Sequence, residues 1–404
     1  MSSAVRSAVT FSQQRETRVA QRLASVDAYR GFVMVLIWAE ALHSCAVSAA
    51  LPLSDFWGWI CHQQTHAAWT GTSLHDLIAP SFYFLVGLSL VLSHNSARSP
   101  RSVRRVLTRA ALCILLGMTL VAINFRHWKW EFNDAVTQIG LAYPLIWWLA
   151  GRDKRSQYTA FGLILVTFWV WFVLSPLPAS SFDYASVGVP PQWLNQHGLS
   201  GFLAHWQKNS NPSSAFDRWF LNLLPQPAPY LGSPVGLTTL NFVPSIATML
   251  LGVLAGSVLY GPEVAKQKVL TILKGAVTIG LIGWVLDRSG ICPIVKAIWT
   301  PSYVLFSGAW CLAFLATFYV FVDILLVRRA AFPLVVVGRN SIVAYCLAMI
   351  FPAVMFNSIR RVTGGGVFEV FGAAYTPAVY GCVVMLLYWS VLWSLHRRKI
   401  FIRI

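Results

Sequence analysis

Charge is scarce in this chain. Only 11% of its 404 residues are Asp, Glu, Lys or Arg, against roughly 25% in ordinary soluble domains. That excludes a water-soluble globular protein, and with 56% hydrophobic residues the chain reads as an all-α polytopic membrane protein. Acidic residues are scarcer still, 14 against 31 Lys and Arg, for a net charge of +17. The basic residues sit in short runs between apolar segments, where orientation signals belong, so nucleic acid is set aside as a partner. The seven cysteines show no CxxC and no Cys/His ligand spacing, and most read as small apolar packing residues. The first 24 residues hold Arg6, Arg15, Arg18 and Arg22 but no apolar run. They read as a disordered cytoplasmic tail without a cleavable signal peptide, ahead of a single transmembrane domain over 25–404. Neither an internal repeat nor the inverted pair of broken helices found in many transporters is visible.

What is present is a series of apolar windows, each near the ~20 residues that cross a ~30 Å hydrocarbon core. They fall near 26–48, 76–95, 106–124, 137–150, 158–176, 239–260, 269–286, 303–326, 332–355 and 375–395, which predicts about ten transmembrane helices. Basic runs follow the second, fourth, sixth and eighth windows and close the chain; Arg360 and Arg361 after the ninth break the pattern. Positive-inside bias then puts both termini in the cytoplasm, and residues 49–75 and 177–238 outside. The 177–238 segment is long and rich in proline and tryptophan, and reads as an ordered extracytoplasmic cap. Cys45 and Cys61 both fall near the outer face, where they can pair; two buried thiols are the plainer reading.

Polar residues inside or at the mouth of a membrane helix are costly, so each marks a candidate site. Asp27 and Arg30 are i,i+3 neighbours and read as a structural pair near the inner boundary, with Gly31 allowing a close helix contact. Glu40 lies about 20 Å further along the same window, in the outer half of the bilayer. His43, three residues later, would share its face and make a polar cavity there. The densest cluster is His62 to Asp76. If this stretch folds back, the Asp76 carboxylate orients the His66 imidazole through one ring nitrogen and leaves the other free as base or nucleophile. Trp69 offers a flat face for a sugar ring, or a lipid-interface anchor. His62 and His75 read as surface or supporting residues. The spacing of 62, 66 and 75 matches no zinc ligand set, so no metal is expected.

These motifs resemble the heparan-α-glucosaminide N-acetyltransferase family of transmembrane acetyltransferases and its bacterial relatives. The family's Arg-x-x-Ser-x-Asp-x-x-Arg-Gly opening is matched by Arg22, Ser25, Asp27, Arg30 and Gly31. Its His-x-x-Trp-x-Gly-x-x-x-x-Asp-Leu-x-x-Pro-x-Phe-x-Phe-x-x-Gly block is matched by His66, Trp69, Gly71, Asp76, Leu77, Pro80, Phe82, Phe84 and Gly87. Asp217-Arg218, Phe242 to Gly256, Lys296 to Val304, and Gly338 to Ser341 with Tyr345 are similar to further blocks in the same order. The resemblance implies a membrane enzyme that takes acetyl from cytosolic acetyl-CoA and delivers it to an amino sugar on the far side. His66 would be the catalytic histidine and Asp76 its partner, with Glu40, Trp69 and His43 at the substrate. If the enzyme takes acetyl-CoA from the cytoplasm, its phosphates would be held by Arg98, Arg101, Arg104 and Arg105, although orientation signalling alone also explains these arginines. The implied setting is a bacterial inner membrane, with lipid around the bundle and a possible homodimer. Two positions depart from the family: Glu40 stands where an asparagine is usual, and Cys346, Leu347 and Ala348 replace a histidine and glutamate after the Asn-Ser block. The large lumenal domain of animal members is also not seen. The competing class is a proton-coupled transporter or flippase for a sugar or lipid-linked precursor, with His66, Asp76 and Glu40 as its proton relay.

Overall fold

A computed structural model describes residues 23–95, 102–125, 127–351 and 366–402, with 358, 361, 362 and 364. Among these residues the structure is helical, and its only β pairing is a single antiparallel bridge between Thr70 and Val295. The first helices are α1 (Ala24–Trp38), α2 (Ser44–Ala50), α3 (Asp55–Gln64), α4 (Ile78–Asn95) and α5 (Val103–Phe125). Next come α6 (Ala135–Ala150), α7 (Lys154–Leu174), α8 (Pro191–His197), α9 (Pro212–Leu221) and α10 (Phe242–Leu259). The last are α11 (Ala265–Arg288), α12 (Pro301–Phe318), α13 (Arg328–Arg339), α14 (Ser341–Ile350) and α15 (Thr376–Arg397).

Short polar residues begin several of these helices by accepting from otherwise unpaired N–H groups. Asp134 accepts from Val136 and Thr137 at the start of α6, and Asp153 from Ser156 at the start of α7. Thr300 and Asn211 do the same for α12 and α9, each followed by a proline, whose fixed φ suits the first helical turn.

Among the described residues, eight helical segments are long and apolar enough to cross a membrane. The ten expected windows depart from this at two places. Helix α6 is only 16 residues long, and α13 and α14 meet at 72° rather than forming one straight span. Large apolar side chains on α5, α7, α11 and α15, such as Leu115, Leu163, Val277 and Leu386, remain exposed, as expected where hydrocarbon is the solvent. The chain is an integral membrane protein.

Helix α10 lies at the centre, buried along nearly its whole length. It packs on α4 through glycines: a Cβ on Gly87 would overlap the Met249 carbonyl, and one on Gly252 the Phe84 carbonyl. Hydrocarbon gives apolar helices little reason to associate, so close backbone packing of this kind holds such pairs together. Gly31 and Gly338 bring α1 and α13 together in the same way, beside the Asp27–Arg30 pair at 3.6 Å.

The first window is also broken. Helix α1 stops at Trp38, a 3-10 turn covers Ala39–Leu42, and His43 takes a left-handed conformation (φ 45°) before α2 begins. No glycine or proline marks this break in the sequence. Gly381 of α15 packs against the backbone of Ala41, and the Trp38 indole donates to the Ala344 carbonyl at 3.0 Å. Cys45 and Cys61, for which buried thiols were the plainer expectation, form a disulfide joining α2 to α3. Residues 177–238 contain α8, α9 and two 3-10 turns, held by Asn209 donating to the Val187 and Ser233 carbonyls.

Candidate active site

The polar stretch identified in the sequence lies between α3 and α4, and two features hold it. The Gln63 side chain accepts from Leu74 N at 3.0 Å, closing the loop across its base. The loop is also laid against residues 291–300, where Gly71 N donates to the Ile294 carbonyl at 2.9 Å beside the Thr70–Val295 bridge. That second loop is itself rigid: the Thr300 hydroxyl donates to Pro293 O and accepts from Val295 N, at 2.8 and 3.0 Å.

Asp76 is buried at the foot of the loop. Its Oδ2 accepts from Ala67 N and Ser73 N, both at 3.0 Å, and its backbone carbonyl accepts from the Tyr303 hydroxyl at 2.6 Å. Its Oδ1 is left for side chains, and His66 Nδ1 lies 2.8 Å from it. With the Nδ1 proton donated to this carboxylate, Nε2 carries the lone pair. The His66 side chain is 55% exposed while that of Asp76 is 1% exposed, so a rigid buried acceptor orients an accessible base.

The sequence reading passed over Lys296. Its Nζ lies 3.2 Å from Asp76 Oδ1, 2.8 Å from His66 Nδ1 and 3.4 Å from Nε2. A group in the ring plane, on the Nδ1 lone-pair axis, would be far more distant from Nε2 than from Nδ1. Near-equal distances instead place the ammonium over the imidazole face. Burial pushes its pKa below the usual lysine range, and the Asp76 carboxylate opposes that shift. The available signal was Lys296 in the short link 287–302 between two apolar windows, set apart from the other charged residues there, Asp287 and Arg288, by an apolar run.

His75, read as a supporting residue, is buried and packs its ring against His66, with centroids 4.4 Å apart. Its Nε2 lies 3.0 Å from Glu40 Oε1, and the Glu40 side chain is 54% exposed. A polar row thus runs from an exposed carboxylate through two imidazoles to a buried carboxylate and an ammonium.

The remaining expected residues fall elsewhere. His43 is exposed, and the break after Trp38 removes the helical face it was expected to share with Glu40; the partner of Glu40 is His75. Trp69 is 3% exposed and donates its indole N–H to the Trp206 carbonyl at 3.1 Å. It has no open face for a sugar; it anchors the 177–238 segment to the site loop. His62 is exposed on α3. Arg104 and Arg105 are exposed at the start of α5, separated from Asp76 by the whole of α4, about 27 Å for 18 residues. Arg98 and Arg101 lie outside the described residues. Among the described residues, no three His, Cys, Asp or Glu side chains gather as a metal site.

Two curated proteins align over most of this chain. Human heparan-alpha-glucosaminide N-acetyltransferase is 24% identical over 378 residues, covering 82% of the chain and 53% of the human protein. The mouse protein of the same name is 24% identical over 381 residues, covering 82% of the chain and 54% of its own length. The chain is a distant relative of the heparan-alpha-glucosaminide N-acetyltransferases. It spans about half the length of the curated relatives it matches. No family model matches the sequence.

Proposed function

We propose that this protein is a membrane acetyltransferase that moves acetyl from acetyl-CoA to the amine of a glucosamine-type sugar. The observation that carries this reading is the His66–Asp76 pair, with one ring nitrogen held at 2.8 Å by a buried carboxylate and the other accessible. It lies within the stretch that most closely resembles the acetyltransferase family.

Amide formation needs the neutral amine as nucleophile. His66 Nε2 takes a proton from the amine as it attacks the thioester carbonyl, then returns that proton to the departing CoA thiolate. Amine and acetyl thioester become amide and thiol, with no other reactant. In a variant of the same chemistry Nε2 attacks first and carries the acetyl group before the amine arrives. We assign Glu40, half-exposed beside His75, to the sugar ammonium, which gives up one proton to solvent to become the neutral amine that attacks.

We further propose that the acceptor reaches His66 from the extracytoplasmic side and that both termini are cytoplasmic. The disulfide supports this, because it closes the α2–α3 hairpin that leads directly into His66, and disulfides persist in oxidising compartments. The CoA phosphates are then assigned to Arg104 and Arg105 at the start of α5, with the pantetheine arm reaching along the bundle toward His66.

Thiol release from acetyl-CoA in membranes, measured against a panel of amino sugars and their oligomers, tests the reading. Wild-type protein should release CoA with at least one acceptor, and His66→Ala should not. Equal release by the two proteins removes His66 from the chemistry. Transport of an unmodified sugar into vesicles without CoA release would replace the enzyme with a transporter.

A further inference from the structure

Lys296 holds a charge beside the reacting nitrogen that the two-residue pair leaves without a task. Its placement is not that of a flexible surface lysine. Residues 292–300 are pinned by Thr300, by Ile294 N donating to Asp287 at 2.8 Å, and by Asn241 donating to the Ala297 carbonyl at 2.8 Å. The Lys296 side chain is 17% exposed. An ammonium has three donors, and Asp76 Oδ1 uses one of them. With Nζ over the imidazole face and 3.4 Å from Nε2, its other donors are available to an atom bound next to Nε2.

We propose that Lys296 is a catalytic residue whose ammonium stabilises the oxyanion formed when the acetyl thioester is attacked beside His66. This rests on the acetyltransferase reading. As the amine nitrogen bonds to the carbonyl carbon, the π pair of the carbonyl moves onto oxygen, and the Lys296 ammonium donates a hydrogen bond to it. Collapse re-forms the carbonyl and breaks the carbon–sulfur bond, and the thiolate takes the proton that His66 removed from the amine. Lys296 keeps its protons throughout. Asp76 then has two tasks on one oxygen: it orients His66, and it holds the ammonium where charge develops, so that no reorganisation is needed during reaction. A lysine serving only as the counter-ion of Asp76 would instead affect folding or binding, without preferring the transition state.

The test compares Lys296→Met, Lys296→Gln and Lys296→Arg with wild type, each checked for monodisperse elution in detergent. The neutral variants should lose about 100- to 1,000-fold in kcat, the range for removal of one oxyanion donor, with little change in KM for acetyl-CoA. Lys296→Arg should recover part of that loss. The defect should shrink with a fluoroacetyl thioester, whose carbonyl needs less help to accept the electron pair. Because Gln retains a donor toward Asp76, it serves if the Met variant does not fold. Unchanged kcat, a loss confined to KM, or the same fold-loss with both thioesters would overturn the assignment of Lys296. If wild-type protein releases no CoA with any amino sugar, the acetyltransferase reading fails and the role of Lys296 fails with it.

Discussion

Replacing Asp76 with asparagine keeps the shape of the side chain and changes which ring nitrogen of His66 carries the proton. The new amide has one carbonyl and one NH2 to place. If NH2 faced Ala67 N and Ser73 N, two buried donors would be left unpaired at about 1–3 kcal/mol each. The carbonyl therefore takes the Oδ2 position and NH2 faces His66 Nδ1. Nδ1 must then accept, the ring proton moves to Nε2, and the accessible nitrogen is no longer a base. The same substitution in a serine protease triad lowers kcat about 10⁴-fold through the same tautomer change, and a loss of about 10³-fold or more is expected here. Lys296 also loses its carboxylate, and breaking a buried charge pair costs about 3 kcal/mol or more, so melting in detergent should fall as well. Steady-state CoA release with acetyl-CoA and an amino sugar, measured at a temperature where the variant is folded, gives the answer. A kcat within threefold of wild type, or a loss appearing only in KM, would refute the argument.

Glu40→Asn should raise KM for the amino sugar by no more than about fivefold, because an ion pair this exposed is worth at most about 1 kcal/mol; an unchanged acceptor profile would leave Glu40 a structural partner of His75. Cys61→Ser, or a reducing agent, removes a cross-link of sequence separation 16, and should destabilise the protein by up to about 3 kcal/mol. Melting curves that ignore reductant would count against the disulfide. Burial, opposed by the hydrogen bonds from Thr239 and less by Arg218, and helped by the nearby Glu131 carboxylate, pushes the Asp217 carboxyl from 3.8 to about 6, so the folded protein binds that proton more tightly than the unfolded chain does. Its stabilising contribution, up to about 3 kcal/mol, is complete below about pH 4 and lost as pH rises through about 6. Asp217→Asn should flatten the melting temperature between about pH 4 and 6.5, and the same slope in both proteins would exclude Asp217 as its source.

Helical membrane architecture was legible because apolar windows of spanning length separated by basic runs leave few alternatives. The irregularities were not. The window at 26–48 carries no proline or glycine where α1 stops, and packing of Gly381 against Ala41 decides the break. In the window at 332–355, Gly338 lies just before the turn from α13 into α14, but glycine is frequent in membrane helices and by itself gives no warning of a bend. Its visible task is the close approach of α13 to α1. Local spacing likewise suggested His43 for Glu40, a relation that fails once the helix between them is interrupted. The ring of Trp69, expected as an open face, is covered; a tryptophan at a membrane boundary looks the same in sequence whether its ring is open or covered.

By itself the sequence determined an integral membrane protein, built from helices, with an uncommon cluster of histidines and a carboxylate between two of them. These are matters of composition and short-range spacing, for which the cost of placing polar groups near hydrocarbon supplies the rule. Only the tertiary structure brought Lys296 to His66, 230 positions away, paired His75 with Glu40, and covered Trp69 with the 177–238 segment. Each of these contacts depends on how loops from distant helices meet at one end of the bundle. That meeting is governed by backbone hydrogen bonds such as Gly71 to Ile294, which carry no mark in the identity of the residues that make them.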